Sequence, residues 1–199
     1  IFLFATKGLN YGIDFTGGRN YVVRFEKPVD AEKIEGNIAK LMKTADGKNE
    51  SVEVKTFGNS SQLKITTDYL IDDESLAADQ TVEQKIYDGL KQDLPANMSL
   101  ADFKAADKGH AGIVSSTKVG PTVADDITTH GMLAVAASLL GIFIYILVRF
   151  DKWQFSLGAV AGLFHDTVVI LGIYSLFYKI MPFNMEINQD FIAAILTVI

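Results

Sequence analysis

Cysteine is absent from this 199-residue sequence, which excludes disulfide stapling, zinc–thiolate sites and thiol catalysis. A basic excess is also absent. The 18 Lys and Arg against 24 Asp and Glu leave a net charge of −6, whereas a nucleic-acid binder presents a basic face. The sequence has no Walker-type phosphate loop, no GxGxxG after a strand and no HExxH zinc motif. Histidine is scarce, at three residues. His110 lies in a Gly/Ala/Lys loop without an evident Ser or acid partner and reads as a solvated surface side chain. Asp68, Asp72, Asp73 and Glu74 read as a solvated loop face rather than a cation site. No enzyme activity, metal or cofactor is expected.

Charge is unevenly distributed. It concentrates between Lys7 and Asp126, and the remainder is mostly apolar. Residues 131–148 carry no charge, just reaching the roughly 18–20 residues that cross a hydrocarbon core. Residues 155–178 form a second run, interrupted by His165 and Asp166. A mid-membrane Asp costs about 2.5–3.5 kcal/mol, and each Leu, Ile, Phe or Val returns about 0.3–0.6. The many such residues in this run outweigh Asp166, so the segment is expected to insert. A soluble helical hairpin would show a polar face, and these runs show almost none. Residues 190–199 are expected as an incomplete third span, and the apolar stub Ile1–Ala5 as the tail of a preceding one. The hinge Arg149–Gln154 holds more basic residues than the loop Lys179–Asp190, so the positive-inside rule puts the hinge in the cytoplasm. The charged domain then lies outside it.

That domain, expected over 19–120, has the marks of an α+β sandwich. Tyr21, Val23 and Phe25 alternate with polar or opposite-facing neighbours, as in a strand. Asp30 suits an N-cap for a helix with Ile34, Ile38, Leu41 and Met42 on one stripe. Val52 and Val54, then Leu63 and Ile65, give two strands about the turn-rich Gly58-Asn59-Ser60. Thr81 and Gln84 read as a capping box for a helix carrying Val82, Ile86 and Leu90. A last strand over 113–117 leads to Val119-Gly120-Pro121. The order β-α-β-β-α-β predicts a ferredoxin-like fold. Residues 1–18 precede this domain, and 121–199 are assigned to an all-α transmembrane bundle.

On the second span, Gly158, Gly162, His165, Asp166, Val169 and Gly172 recur at spacings of three and four and share a broad face. Gly158 and Gly162 form the GxxxG spacing that lets another helix approach. Asp166, one turn on, is expected to face the bundle interior. Ala134, Ser138, Gly141 and Tyr145 offer a matching face on the first span. An ionisable residue inside the membrane suggests a proton relay or ion path. A purely structural hydrogen bond remains the alternative for both His165 and Asp166. Being adjacent on a helix, they are expected to need separate partners.

Together these residues carry a resemblance. Gly12-Ile13-Asp14-Phe15-Thr16-Gly17-Gly18 before a strand is similar to the signature of the SecF protein-export family. Val119-Gly120-Pro121-Thr122-Val123, Arg149-Phe150 and His165-Asp166 resemble its later motifs, in order, across the chain. Ala124 stands where the family usually has glycine, and Asp151-Lys152-Trp153 replaces a more typical Glu-Trp. The resemblance implies Gly12, Asp14, Phe15, Gly17, Gly18, Gly120, Pro121 and Arg149 as motif residues. It applies equally to a separate SecF and to the SecF half of a fused SecDF. It further implies a multi-pass protein of the bacterial inner membrane with residues 19–120 periplasmic. Such a protein, of the RND superfamily, assists preprotein export beside SecD, the SecYEG channel and the SecA motor, using the proton motive force. Asp166, with His165, would play a supporting part, the principal coupling Asn-Asp pair being expected beyond Ile199. The alternatives are an RND-type transporter of lipid or a small molecule, and a docking or structural membrane subunit. An intramembrane hydrolase would need a nucleophile or metal set for which Ser138, Ser156, Thr167 and Ser175 are the nearby hydroxyls.

Overall fold

The computed structural model describes residues 8–43, 51–73, 75–105, 110–150 and 152–198. The stub Ile1–Ala5, Glu74 and Asp151 lie outside the described residues. The chain divides into two compact units. One comprises Thr16–Ala124 and Pro182–Asn184; the other takes the segment up to Phe15, Asp125–Met181 and the segment from Met185 onward.

The first unit is a mixed α/β structure. Its strands are β1 (Gly18–Arg24), β2 (Val52–Phe57), β3 (Asn59–Thr67) and β4 (Gly112–Val119). They form one sheet in the order β2-β3-β1-β4, every neighbouring pair antiparallel. Side chains alternate across the pleat, so Tyr21, Val23, Val54, Leu63 and Ile65 share a buried face. Helices cover that face. After α1 (Ile13–Thr16), the chain forms α2 (Ala31–Leu41), α3 (Leu76–Leu90) and α4 (Leu100–Lys104). Asp30 caps α2 as expected, its carboxylate accepting from the Glu32 and Lys33 amides. Ile34, Ile38, Val82, Ile86 and Leu90 are fully buried in the shared core. Leu41 is exposed: α2 ends there, and Met42 turns into the core in its place.

The expected capping box at Thr81 is not formed. Helix α3 begins at Leu76, five residues before Thr81, capped by Ser75, whose Oγ accepts from the Ala78 amide at 3.2 Å. Starting there extends the apolar stripe back to buried Ala78, one turn before Val82. Thr81 Oγ1 instead donates to the Ala77 carbonyl, and Gln84 to Asp88. The capping box occurs at Ser99 and Asp102 of α4, a helix that periodicity missed because it is only five residues long. The β2–β3 turn is also tighter than expected. Gly58 alone, at φ +76°, makes it, and Asn59 and Ser60 are already strand.

Two polar features brace this unit. Arg19 on β1 is buried, and its guanidinium donates to Asp79 Oδ1 from both Nε (3.1 Å) and Nη2 (2.7 Å). Lys118 of β4 adds a third donor to the same oxygen at 2.9 Å. At the β2 edge, Thr56 donates its amide and hydroxyl to the Pro182 carbonyl, at 3.2 and 2.7 Å. The segment Pro182–Asn184 thus covers part of an edge that would otherwise present unpaired backbone groups.

The second unit holds, among the described residues, the helices α5 (Pro121–Arg149), α6 (Trp153–Phe177) and α7 (Gln189–Val198). The first two are long and apolar enough to cross a membrane. Helix α5 begins ten residues ahead of the span expected from residue 131. Pro121 supplies a preset φ at its first position, and its missing N–H costs nothing there. Arg149 closes it at the end where a cation suits the helix dipole.

Candidate functional site

The Gly-rich motif contributes to both units, and each half has its own geometry. In the sheet unit, Gly17 and Gly18 adopt φ values of +73° and +146°, a region that side chains rarely tolerate. The turn they make starts β1 with Gly18 paired to Val119. A Cβ on Gly17 would stand 3.5 Å from Pro121 and from the Val119 carbonyl. The two glycine-containing motifs, far apart in sequence, therefore meet at the paired ends of β1 and β4. Gly120 accepts the Ala124 amide at 3.0 Å, and Ala124 itself is buried.

The first half of the motif belongs to the helical unit and approaches α7. The Gly12 amide donates to the Ile187 carbonyl at 2.9 Å, and the Ile187 amide to the Asn10 carbonyl at 2.8 Å, a short parallel bridge. A Cβ on Gly12 would lie 3.2 Å from Asn188 Cβ. Asp14 Oδ2 accepts from the Gln189 amide at 3.0 Å. Phe15 packs against the cluster of Ile187, Phe191 and Ile195. It also lines a mostly apolar cavity of about 390 Å³ with Asp126, His130 and Ile192. Ser175 of α6 donates to the Gly8 carbonyl at 2.7 Å, tying this segment to a second helix.

Periodicity and charge did not single out Ser175, Asn188 or Arg19. Asn188 was the most readable of them: Asn followed by Gln-Asp before an apolar run is an N-cap pattern, and its Oδ1 does accept from the Phe191 amide.

His165 and Asp166 lie midway along α6. The structure corrects the expectation that they need separate partners. His165 Nδ1 is 3.1 Å from Asp166 Oδ1, because the two short side chains fold toward one another along the helix surface. Their side chains are 75% and 71% exposed, so no described residue of this chain encloses them. At Gly158 and Gly162 no described atom, apart from the helix's own backbone, lies within 4 Å of an added Cβ. Among the described residues, the small-residue face thus carries no close helix. Gly141 is likewise open, Ser138 bonds back to the Ala134 carbonyl, and Tyr145 is exposed. Among the other polar candidates, Asp68 and Asp73 accept the backbone amides of Ser51 and Ser75, and His110 is exposed.

Sequence comparison bears directly on these motifs. The profile described as "SecD/SecF GG Motif" matches residues 2–29. The profile described as "Protein export membrane protein SecD/SecF, C-terminal" matches residues 99–199. The chain belongs to the SecD/SecF family. Within that family it is similar to the protein translocase subunit SecF of Rhodothermus marinus, 33% identical over 98% of this chain and 55% of the relative. The SecF of Magnetococcus marinus is 35% identical over 98% of this chain and 54% of its own length. The fused SecDF of Brucella abortus is 33% identical over 99% of this chain and 22% of its own. The chain thus spans about half the length of the SecF relatives. The crystal structure of SecDF from Thermus thermophilus shares the fold, with a TM-score of 0.69 at 24% identity over 98% of this chain and 22% of that one. In SecD/SecF terms, the GG-motif match covers α1 and β1, and the C-terminal match covers α4, β4 and all three long helices.

Proposed function

We propose that this SecD/SecF family chain acts as a SecF-type accessory subunit of the Sec translocase, assisting preprotein export across the cytoplasmic membrane with the proton motive force. The observation that carries this is the match to SecF relatives along 98% of the chain, with both family profiles in order around the sheet. The partners are SecD, the SecYEG channel and the preprotein delivered by SecA, within membrane lipid. The chain is not itself an enzyme. The strand order β2-β3-β1-β4, two interleaved βαβ units, supports a ferredoxin-like reading of residues 19–120. The basic residues Arg149 and Lys152 support a cytoplasmic α5–α6 hinge. Residues 19–120 are then periplasmic, in a multi-pass inner-membrane protein whose transmembrane region covers 121–199. Asp166 and His165 form a supporting polar pair for proton coupling, and the open face at Gly158 and Gly162 receives a further helix.

A lipid or small-molecule transporter is less well supported. The relatives matched along the chain are translocase subunits. Affinity purification in mild detergent, from cells expressing the natural gene, tests the assignment. SecD and SecYEG homologues are expected to copurify. Isolation without them, together with hydrolysis of a lipid or peptide, contradicts it.

A further inference from the structure

Helix α7 starts with more help than its own sequence supplies. The first turn of any helix has amide donors with no intrahelical acceptor. Asn188, the local cap, takes the Phe191 amide, at 2.9 Å. The Gln189 amide is taken by Asp14, 175 positions away in the chain. A carboxylate at that end also suits the positive pole of the helix dipole. Gly12 acts on the other cap. It forms the backbone rung to Ile187, and its missing side chain leaves room for Asn188. Phe15 packs against the apolar cluster of Ile187, Phe191 and Ile195 that flanks the same turn.

We infer that the first half of the GG motif is a latch that positions α7: Asp14 is a remote N-terminal cap, and Gly12 and Phe15 hold the segment that presents it. The residue types follow from the task. A residue larger than Gly at 12 displaces the local cap. A side chain without an acceptor at 14 orphans the Gln189 amide. The two glycines at 17 and 18 meet a separate demand, the turn into β1. Asp14 is thus a positioning residue that acts through α7. What the latch serves, placing α7 for export, rests on the function proposed above.

The test uses the protein expressed from its natural gene, in cells depleted of their own SecF. Hydrogen exchange is followed at the Gln189 and Phe191 amides, beside export of a periplasmic precursor. Asp14→Leu is expected to speed Gln189 exchange about tenfold, the scale of a lost side-chain cap, and to reduce export. Asp14→Asn keeps an acceptor oxygen and is expected to hold both close to wild type. Gly12→Ala is expected to speed exchange at Phe191, which tests the latch independently should Asp14→Leu fail to insert. Unchanged exchange in Asp14→Leu, or in Gly12→Ala where it stands in, overturns the inference. So does lost export in Asp14→Asn with exchange still protected, because charge and not capping would then be what matters. If wild-type protein fails to restore export while the exchange responses hold, the export reading fails and the latch stands.

Discussion

Replacing Asp79 by leucine is expected to destabilise the sheet unit by about 3 kcal/mol, the lower end for removing one partner of a buried ion pair. Arg19 is 1% exposed and cannot turn out to solvent without opening β1. Without Asp79 it keeps, among the described residues, carbonyl acceptors from Tyr69 at 2.7 Å and Asp73 at 3.5 Å. Among the described residues it then has no carboxylate hydrogen-bonded to it. The lower end applies because Asp79 is itself 31% exposed. The same contact sets an acid response. Burial alone would raise the Asp79 pKa, but hydrogen bonds and charge from Lys118 and Arg19 outweigh it and hold the carboxyl below its ordinary value. A carboxyl depressed by folding contributes stability above its unfolded pKa of about 3.9, and that contribution is lost as pH falls through the folded value. Wild type is therefore expected to weaken below about pH 4, and Asp79→Leu to lose this part of the acid response. Denaturant melts of the detergent-solubilised protein, read by limited proteolysis of the sheet unit, check both. A change under about 0.5 kcal/mol would show the pair to be dispensable.

Asp166→Asn is expected to lower the proton-driven part of export about tenfold, the factor that about 1.4 kcal/mol of a charge-assisted hydrogen bond represents. Insertion and partner binding should be unchanged, since Asn preserves shape and one acceptor. The reasoning is energetic. A mid-span acid is costly, and here its described partner is His165 at 3.1 Å. A group that gains and loses a proton would bias a two-state helix bundle in a way an amide cannot. The comparison to make is export with and without an imposed proton gradient, in membranes holding equal amounts of each protein. Equal gradient dependence in the two would reduce Asp166 to a packing residue.

Much of the architecture could be read in the residues because burial imposes periods. The alternation at Tyr21 and Val23, the stripe through Ile34 and Ile38, and the apolar runs of α5 and α6 all gave the right element. Boundaries were harder where several residues qualify as caps. Ser75 and Thr81 both fit an N-cap, and the choice fell to Ser75 through the burial of Ala78, a tertiary fact. The starts of α5 and β3 were missed for a similar reason. A polar first turn and a glycine turn carry little periodicity. The candidate site was half readable. The identity of Gly12, Asp14, Gly17 and Gly18 marked them out, but no local pattern reveals that Asp14 caps a helix 175 positions away. Nor could helical spacing show that His165 and Asp166 bond to each other, since that depends on side-chain rotamers.

The central claim is that this chain works in protein export as a SecF-type subunit. Pulse-chase labelling of a signal-peptide-bearing periplasmic protein, in cells depleted of SecF and supplied with the natural gene for this chain, tests it most directly. The account predicts that the precursor is processed at close to the undepleted rate. Precursor accumulating as in depleted cells, with the protein inserted and SecD present, would contradict it.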